Sequence, residues 1–543
     1  MKMELGSWAH PNGVQFGVWA PYADSVSVVG PFNDWDEHAN PCARDERGNW
    51  FVDVASARVG DEYRYILHHQ GQRLSRIDPR ARDVTNSIGN GVVANPEFDW
   101  GDDDFQLPHW NKLVIYELHL GTFASKNGAI GTFDDAIERL PYLKSLGINA
   151  IEIMPLAEFA GDYSWGYNPA HPFAVESAYG GPDGLKRFVK KSHEHGIGII
   201  GDVVYNHFGP SDLSMWQFDG WSENGKGGIY FYNDWRSSTP WGDTRPDYGR
   251  GEVRQYIFDN AMMWLDEYRF DGLRYDMTLY MRSLNGDEAI VLPDGFSLAQ
   301  WINREASLRF PHKIMIAEDL RNNESLTENH ANGGAHFGSQ WAADFVHPVR
   351  TSLIEIDDRN RSMHEVCAAI TTKYNNDAFR RVIYTESHDE VANGKQRVVS
   401  EIDPSDSPNR YAIKRASEQK HKKTDMIDAC TASNTSVYFL ISLSARLSCS
   451  LINLPKVANC TRERGNSQVL SLSQIHGHSF PERLLDDVHG RCPRLHGPTI
   501  ASTGCLSGIR IGSCQFFHNF EPHLLQSSLQ CGASRMIGHS GWS

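Results

Sequence analysis

The segment that decides the fold is Phe270-Asp-Gly-Leu-Arg-Tyr-Asp276, a short apolar strand that ends at an acid-bearing loop. Three other segments have the same form: Gly201-Asp-Val-Val-Tyr-Asn-His207, Ile316-Ala-Glu-Asp319 and Glu386-Ser-His-Asp389. Acids that collect at the carboxyl ends of several parallel strands are typical of barrel enzymes that break glycosidic bonds. The four segments therefore predict one polar site built from distant parts of the chain.

Strands that alternate with helical patterns surround these segments over residues 106–419. Their apolar runs predict burial on both faces, which favours a parallel sheet. The seven predicted strands lie at 113–118, 148–154, 196–202, 270–274, 313–317, 340–345 and 381–385. Helices are predicted over 133–146, with Thr132 as the N-cap, and over 184–195 and 252–268. This succession favours an α/β fold of the (β/α)8, or TIM, barrel type over an open doubly wound sheet. An eighth strand is expected near residue 430, and 437–443 is its candidate.

Residues 1–105 have a different pattern, which predicts an N-terminal all-β sandwich. Val14-Gln-Phe-Gly-Val-Trp-Ala20 alternates between apolar and other residues, and further short strands are predicted at 25–29, 50–54 and 62–67. Clusters of Gly, Pro, Asn and Asp separate them at close spacing, as in small sandwich domains.

Residues 420–543 break both patterns. From residue 421 onward the chain holds seven of its nine cysteines and one of its 15 tryptophans, and eleven basic residues outnumber seven acidic ones. The cysteine spacing fits no zinc site. We interpret this segment as an atypical Cys/Ser-rich tail, the product of a change of reading frame near Lys420, and expect it to be disordered. A cysteine-rich module is the alternative.

The bulk properties narrow the range of partners. A net charge of −16 argues against nucleic acid or an anionic membrane surface. The chain has no run of 18 apolar residues that would cross a membrane, and its first residues lack the apolar core of a signal peptide. Because Cys42 and Cys367 are the only cysteines in the first 420 residues, we expect a reducing, cytoplasmic setting.

Two of the acids follow consecutive predicted strands and are expected to be neighbours. Retaining cleavage of a glycosidic bond uses two carboxyl groups about 5–5.5 Å apart, one to attack the sugar and one to donate a proton. Arg274 precedes Asp276 by two residues, on the same side of an extended strand, where a guanidinium stabilises the charge of an attacking carboxylate. Glu318 follows an apolar strand, and partial desolvation of a Glu suits a general acid.

Taken together, the four segments resemble the signature segments of glycoside hydrolase family 13, the α-amylase clan, over about residues 110–419. The resemblance implies Asp276 as the nucleophile, Glu318 as the general acid/base and Asp389 as a third acid that grips sugar hydroxyls. Ser164-Trp-Gly-Tyr-Asn-Pro resembles the segment whose Tyr stacks on the sugar. The residues implied to bind the attacked glucose are Tyr167, Asp202, His207, Arg274 and His388. Neither a cofactor nor a metal site is predicted.

The N-terminal domain resembles the sandwich of carbohydrate-binding module family 48. The matching stretches are Phe16-Gly-Val-Trp-Ala-Pro21 and Val28-Val-Gly-Pro-Phe-Asn-Asp-Trp35. The resemblance leaves open whether this module binds glucan, since Trp35 serves equally as a sugar platform or as a packing residue.

Within the family, the segments point in two directions. Ser387-His-Asp-Glu-Val-Ala-Asn-Gly-Lys395 resembles branching enzymes, whereas Met154-Pro-Leu-Ala-Glu-Phe159 and Asp202-Val-Val-Tyr-Asn-His-Phe-Gly-Pro210 resemble maltooligosyl trehalose trehalohydrolases. Either implies an α-1,4-glucan, such as glycogen, amylose or maltooligosaccharides, as the partner. Glucan branching in glycogen synthesis is favoured. The alternatives are a trehalohydrolase, another amylase-type hydrolase, or an inactive remnant that only binds glucan.

Overall fold

The computed structural model describes residues 4–402, except for positions 127, 356 and 393, together with a three-residue strand at Leu440–Ser442. The frame change predicted near Lys420 and almost all of the predicted tail lie outside the described residues. The domain limits at 105 and 419 stay predictions.

The N-terminal part of the chain forms two antiparallel sheets. Its strands are β1 (Gly6–His10), β2 (Gly13–Trp19), β3 (Ser25–Val29), β4 (Ala43–Arg44), β5 (Asn49–Val54), β6 (Glu62–His69), β7 (Gln72–Arg76), β8 (Asp83–Val84) and β9 (Gly91–Val92). One sheet has the order β1-β2-β5-β4, and the other has the order β3-β6-β9-β8, with β7 paired to β6. The predicted sandwich is confirmed.

Strand β2 shows how this domain is held together. Val14, Phe16 and Val18 lie on one face and are almost fully buried in the core, where the Phe16 ring packs 4.9 Å from that of Tyr63 on the second sheet. The other face of β2 is also buried, because the chain at Glu4 crosses it and accepts a hydrogen bond of 2.7 Å from the Gln15 side chain.

Eight parallel strands form a separate sheet in the following part of the chain. They are β10 (Ile115–Leu118), β11 (Ala150–Ile153), β14 (Gly198–Val203), β15 (Gly272–Tyr275), β18 (Ile314–Ala317), β19 (Ser339–Trp341), β20 (Arg381–Val382) and β21 (Leu440–Ser442). Their order is β20-β19-β18-β15-β14-β11-β10-β21. The first seven confirm the predicted strands, and the chain order of neighbours is that of a (β/α)8 barrel.

The eighth strand lies inside the candidate segment 437–443. Leu440 pairs with Ile115 and Ser442 with Glu117, both in parallel register. Among the described residues, the hydrogen-bonded ladder runs from β20 to β21 and includes no pair that joins these two end strands. The sheet is curled. Its first strand along the chain, β10, is not an edge strand, because it pairs with β11 on one side and with β21 on the other.

Helices and short hairpins connect the barrel strands. The helices are α1 (Leu120–Phe123), α2 (Phe133–Ile137), α3 (Leu140–Ser145), α4 (Gly181–Glu194), α5 (Gly251–Met262), α6 (Thr278–Arg282), α7 (Pro293–Arg309), α8 (Ala343–Ile354), α9 (Met363–Thr371) and α10 (Val398–Ile402). Two hairpins lie in the connections: β12 (Ala157–Phe159) with β13 (Pro169–Val175), and β16 (Ser283–Leu284) with β17 (Asp287–Val291). None of the helices in this described part is long and apolar enough to cross a bilayer.

Several elements differ in extent from the prediction. The seventh strand, expected over 381–385, ends at Val382, and the helix expected over 252–268 is α-helical to Met262 and continues as a π-helix over Met263–Glu267. The helix expected over 133–146 begins at the predicted cap, where the Thr132 side chain accepts from the Asp135 amide, but it is divided into α2 and α3. Pro141 lies in the first turn of α3, and because proline has no amide proton it begins a new helix there. The sixth strand ends at Trp341 instead of continuing to residue 345, because α8 begins at Ala343.

Candidate active site

The predicted acids lie at the carboxyl ends of adjacent strands. Asp202 belongs to β14, Asp276 directly follows β15, and Glu318 directly follows β18. Because β14, β15 and β18 are consecutive neighbours in a parallel sheet, these strands deliver the three carboxyl groups to one place.

The Arg274 guanidinium joins the three carboxyl groups. Its Nη1 atom donates to both oxygens of Asp202, at 2.8 and 2.9 Å, and to Oδ1 of Asp276 at 3.0 Å. Its Nη2 atom lies 2.9 Å from Oε2 of Glu318, although without the angle of a hydrogen bond. The side chain is completely buried, and one guanidinium therefore sets the relative positions of all three acids.

Asp276 is also held by an amide. The Nδ2 atom of Asn206 donates to Oδ2 of Asp276 and to its backbone carbonyl, both at 2.8 Å. Together with Arg274 this gives each carboxylate oxygen a donor of its own, and it fixes the plane of the group.

The residue after Asp276 has an unusual backbone. Met277 has φ 39° and ψ 56°, in the left-handed region, and its amide donates to Oε2 of Glu318 at 2.8 Å. Such a conformation costs a non-glycine residue about 1–3 kcal/mol and is typical of functional sites. Here it turns a backbone donor toward the second carboxyl group.

The environment of Glu318 favours its protonated form. Burial raises its pKa to about 8, and the negative charges of Asp276 and Asp389 act in the same direction, against the opposing charge of Arg274. Glu318 thus carries a proton at neutral pH.

His388 and Asp389 lie at the edge of the same site. The Asp389 side chain is 50% exposed, and its Oδ1 atom is 3.5 Å from Nε2 of His388. The His388 ring stacks on Tyr167 with centroids 5.0 Å apart. The hydroxyl of Tyr167 donates to Asp202 at 2.6 Å, which connects this pair to the three buried acids.

His207 completes the predicted set. Its two ring nitrogens face oxygen acceptors: the backbone carbonyl of Tyr167, at 2.9 Å, and the side-chain oxygen of Asn206. The structure therefore places all eight predicted site residues in one connected group.

Other residues of the site were not predicted from the sequence. Glu117 of β10 binds the backbone and the ring of His388, and Trp341 of β19 lies under Arg274, 4.4 Å from its guanidinium carbon. Trp165 contacts the edge of His388, and Trp241 stacks on His207 at 4.5 Å. Trp165 and Trp241 are 44% and 38% exposed. An acid within an apolar strand was the available signal for Glu117, whereas nothing local marks the tryptophans.

Two family descriptions match parts of the chain. Carbohydrate-binding module 48 (isoamylase N-terminal domain) matches residues 4–81, and the catalytic domain of alpha amylase matches residues 120–220. The two matches fall on the antiparallel sandwich and on the first part of the parallel sheet.

Similar proteins include enzymes of two activities. A malto-oligosyltrehalose trehalohydrolase of Saccharolobus solfataricus is 32% identical over 430 residues, which cover 74% of this chain and 71% of the relative. The 1,4-alpha-glucan branching enzymes of Pseudoalteromonas atlantica and Oceanobacillus iheyensis are 31% and 32% identical, over 73% and 75% of this chain. The chain spans 57% and 66% of the lengths of these two branching enzymes.

Solved structures agree on the fold. A candidate alpha amylase from Salmonella typhimurium has a TM-score of 0.58 at 26% identity, and the comparison covers 72% of this chain and 67% of the other. The catalytic module of the pneumococcal glycogen-degrading protein SpuA has a TM-score of 0.61 at 20% identity, over 81% and 69% of the two chains.

Proposed function

The chain belongs to glycoside hydrolase family 13, the α-amylase family, and on this premise we propose that it is a 1,4-α-glucan branching enzyme. It cleaves an α-1,4 bond of a glucan chain with retention and transfers the released segment to a 6-hydroxyl group of a glucan.

The first half of the reaction uses the two carboxyl groups that Arg274 holds together. The Asp276 carboxylate attacks the anomeric carbon while Glu318 gives its proton to the glycosidic oxygen, so that the C–O bond breaks and a glycosyl ester forms on Asp276. In the second half, the Glu318 carboxylate takes the proton of the acceptor hydroxyl. The acceptor oxygen then attacks the same carbon and releases Asp276.

The charge of Asp276 lets Glu318 change roles. This charge is one cause of the raised pKa of Glu318, together with burial, which is the larger cause. When Asp276 becomes a neutral ester, its contribution disappears and the pKa of Glu318 falls. An acid in the first half-reaction thereby becomes a base in the second.

The remaining predicted residues bind the donor sugar. Tyr167 offers its ring as a platform, and the half-exposed Asp389 accepts hydrogen bonds from sugar hydroxyls. His388 directs a donor toward the same position, whereas His207 and Arg274, whose donors are committed within the protein, support it from behind. Asp202 holds Tyr167 and Arg274 in place.

The observation that favours branching is the segment 387–395, which resembles that of branching enzymes and lies around Asp389. Its Lys395 donates to Glu390 at 3.1 Å, and Glu390 lies 3.7 Å from Arg350 on α8. These ion pairs fix the loop that carries Asp389. The similarity to two branching enzymes supports the same proposal.

Trehalose release is the second candidate function. It is favoured by the similarity to the Saccharolobus solfataricus trehalohydrolase over 71% of that protein. In that case trehalose is the leaving group of the first half-reaction, and water takes the place of the glucan hydroxyl in the second.

The choice between these functions is tested with the full chain on amylose and on maltooligosyl trehalose. Branching predicts that the absorbance maximum of the iodine complex of amylose shifts to shorter wavelength with few new reducing ends. Release of free trehalose, or of reducing ends in proportion to the loss of stain, would contradict branching.

We expect Trp241 to bind a glucose unit next to the cleaved bond. Its ring is covered by His207 on one face and contacted by Tyr280 at an edge, and it is 38% exposed. Trp241→Ala is expected to raise the KM for amylose by about fivefold, equivalent to ~1 kcal/mol of lost stacking, with a smaller change in kcat.

Trp235 is the matched control for this substitution, because it lies in the same connection between β14 and β15 and is 70% exposed. Trp235→Ala is expected to leave the KM unchanged. Equal KM values for the Trp241→Ala variant and the unmodified chain would show that Trp241 is only a packing residue.

A further inference from the structure

Glu117 makes two short contacts with His388, which lies far from it in the sequence. Its Oε2 atom accepts the backbone amide of His388 at 2.7 Å, and its Oε1 atom lies 2.7 Å from Nδ1 of the His388 ring. The carboxyl group is 3% exposed. Both oxygens of a buried acid are thus committed to a residue 271 positions later in the chain.

These contacts fix the ring as well as the backbone of His388. A carboxylate at Nδ1 requires a proton on that atom and leaves Nε2 directed toward Asp389, 3.5 Å away. The ring also stacks on Tyr167, 5.0 Å away, and makes a T-shaped contact with Trp165, with ring centroids 5.4 Å apart. Tyr167 and Trp165 contact the ring without a charge. Glu117 carries a full negative charge, which is opposite to that of an imidazolium.

We propose that Glu117 is a positioning residue, which acts through His388 to hold the His388–Asp389 pair against the donor sugar. The proposal depends on the proposed function only in that the glycosidic bond of the donor glucan is cleaved. It holds whether a glucan hydroxyl or water is the acceptor.

The charges of the pair agree with this role. Burial alone would raise the pKa of Glu117 and lower that of His388. The charge of His388 lowers the pKa of Glu117, however, and the charge of Glu117 raises the pKa of His388. The pKa of Glu117 falls below its usual range, and that of His388 rises to about 9. At neutral pH the pair is therefore a carboxylate with an imidazolium, which donates from Nε2 toward the sugar and Asp389.

Several other groups lie around His388. They are His119 directly after β10, Glu152 of β11, Arg274 of β15, Tyr167 before β13, and Asp389 beside it. Asp389 favours the imidazolium and Arg274 opposes it. Among the described residues, Glu117 is the group on a different strand that both contacts the ring and favours its charged form.

Glu152 provides a matched control. It is the residue directly opposite Glu117 in the β10–β11 ladder and is 1% exposed. Its Oε1 atom lies 3.9 Å from Nε of Arg274, but neither oxygen makes a hydrogen bond with the described residues, and burial raises its pKa well above the usual range against the charge of Arg274. A neutral carboxylic acid is closely imitated by an amide, so Glu152→Gln is expected to leave the rate unchanged.

The test measures fluoride release from α-maltotriosyl fluoride by the full chain, because this assay reports donor cleavage whatever the acceptor is. Glu117→Gln is expected to reduce kcat by about 10–100-fold, the range seen for residues that orient metal-binding histidines. In the unmodified chain kcat for fluoride release is expected to decline as the pH rises through the His388 pKa of about 9. Without the carboxylate this pKa falls, so the decline is expected to begin at a lower pH. Glu117→Asp keeps the negative charge. In this variant the decline of kcat is expected to begin at the same pH as in the unmodified chain, although kcat itself is reduced.

Three results would overturn the proposal: an unchanged kcat and pH limb in Glu117→Gln, an equal loss in Glu152→Gln, or a pH limb in Glu117→Asp that matches that of Glu117→Gln. If Glu117→Gln does not fold, the comparison of Glu117→Asp with the unmodified chain decides. Fluoride release without branching by the unmodified chain would contradict the proposed function and leave this proposal standing.

Discussion

Asp276→Asn is expected to reduce kcat on amylose by about 10⁴–10⁶-fold, because an amide cannot form the glycosyl ester. The amide keeps the size of the side chain and can still accept from Arg274. It must, however, turn its NH2 group toward the donating Nδ2 atom of Asn206, so that one hydrogen bond is lost. The affinity for amylose is expected to change much less than kcat.

Asp202→Asn is the control for Asp276→Asn. It tests whether the loss in Asp276→Asn comes from the missing nucleophile or from a disturbed Arg274. Asp202 accepts from the same Nη1 atom as Asp276, through both of its oxygens, and it is equally part of the buried charge cluster. If Asp276 served only to hold Arg274, the two substitutions would cost similar amounts. We expect Asp202→Asn to retain at least 100-fold more activity than Asp276→Asn, an order-of-magnitude figure based on the cost of losing a nucleophile. Losses of equal size would contradict the proposed role of Asp276.

Glu318→Gln has the second largest expected effect, and this effect depends on the leaving group. On amylose, whose glycosidic oxygen needs a proton, the rate is expected to fall by about 10²–10⁴-fold. On α-maltotriosyl fluoride, whose fluoride leaves without a proton, the first half-reaction is expected to proceed at close to the normal rate. Added azide, which needs no base, is expected to restore turnover of the fluoride.

The pH dependence of the unmodified chain tests the same residue. Because the pKa of Glu318 is raised to about 8, the acid is protonated at neutral pH and loses its proton as the pH rises through this value. The rate on amylose is therefore expected to decline above about pH 8. With the fluoride, whose leaving group needs no proton, the decline near pH 8 should be absent from the first half-reaction in the unmodified chain and in Glu318→Gln. A decline near pH 8 that persists there would assign it to a group other than Glu318.

Stability follows the same titration. A carboxyl group whose folded pKa exceeds its unfolded value stabilises the fold below the unfolded value, and this contribution is lost as the pH rises through the folded value. Between about pH 4.3, the ordinary value for Glu, and 8, ionisation of Glu318 therefore opposes folding. Glu318→Gln is expected to melt at the same temperature as the unmodified chain or higher, with a difference that grows with pH.

Much of the fold follows from local sequence patterns. Most of the barrel strands are buried and mainly apolar, and seven of the eight lie where the sequence predicts them. The ends of elements were less predictable. Trp341 is followed by a helix start instead of more strand, because the apolar run 340–345 suits either structure.

The candidate site follows from the sequence in part. Asp276, Glu318 and Asp389 stand at strand ends, and parallel strands necessarily bring such ends together. Glu117 was not identified as a site residue because its partner is 271 residues away, and no local pattern encodes that contact. Trp241 comes from a long connection whose path is determined by packing on the barrel, which the sequence alone does not reveal.

The central claim, that this chain cleaves glucan through an ester on Asp276, is tested most directly by mass spectrometry of a trapped intermediate. Glu318→Gln lacks the base for the second half-reaction, so incubation with α-maltotriosyl fluoride should load the protein with one maltotriosyl group. Peptide mapping is predicted to place this group on the carboxylate of Asp276. A label on another residue, or fluoride release with no labelled protein at any time, would contradict the account.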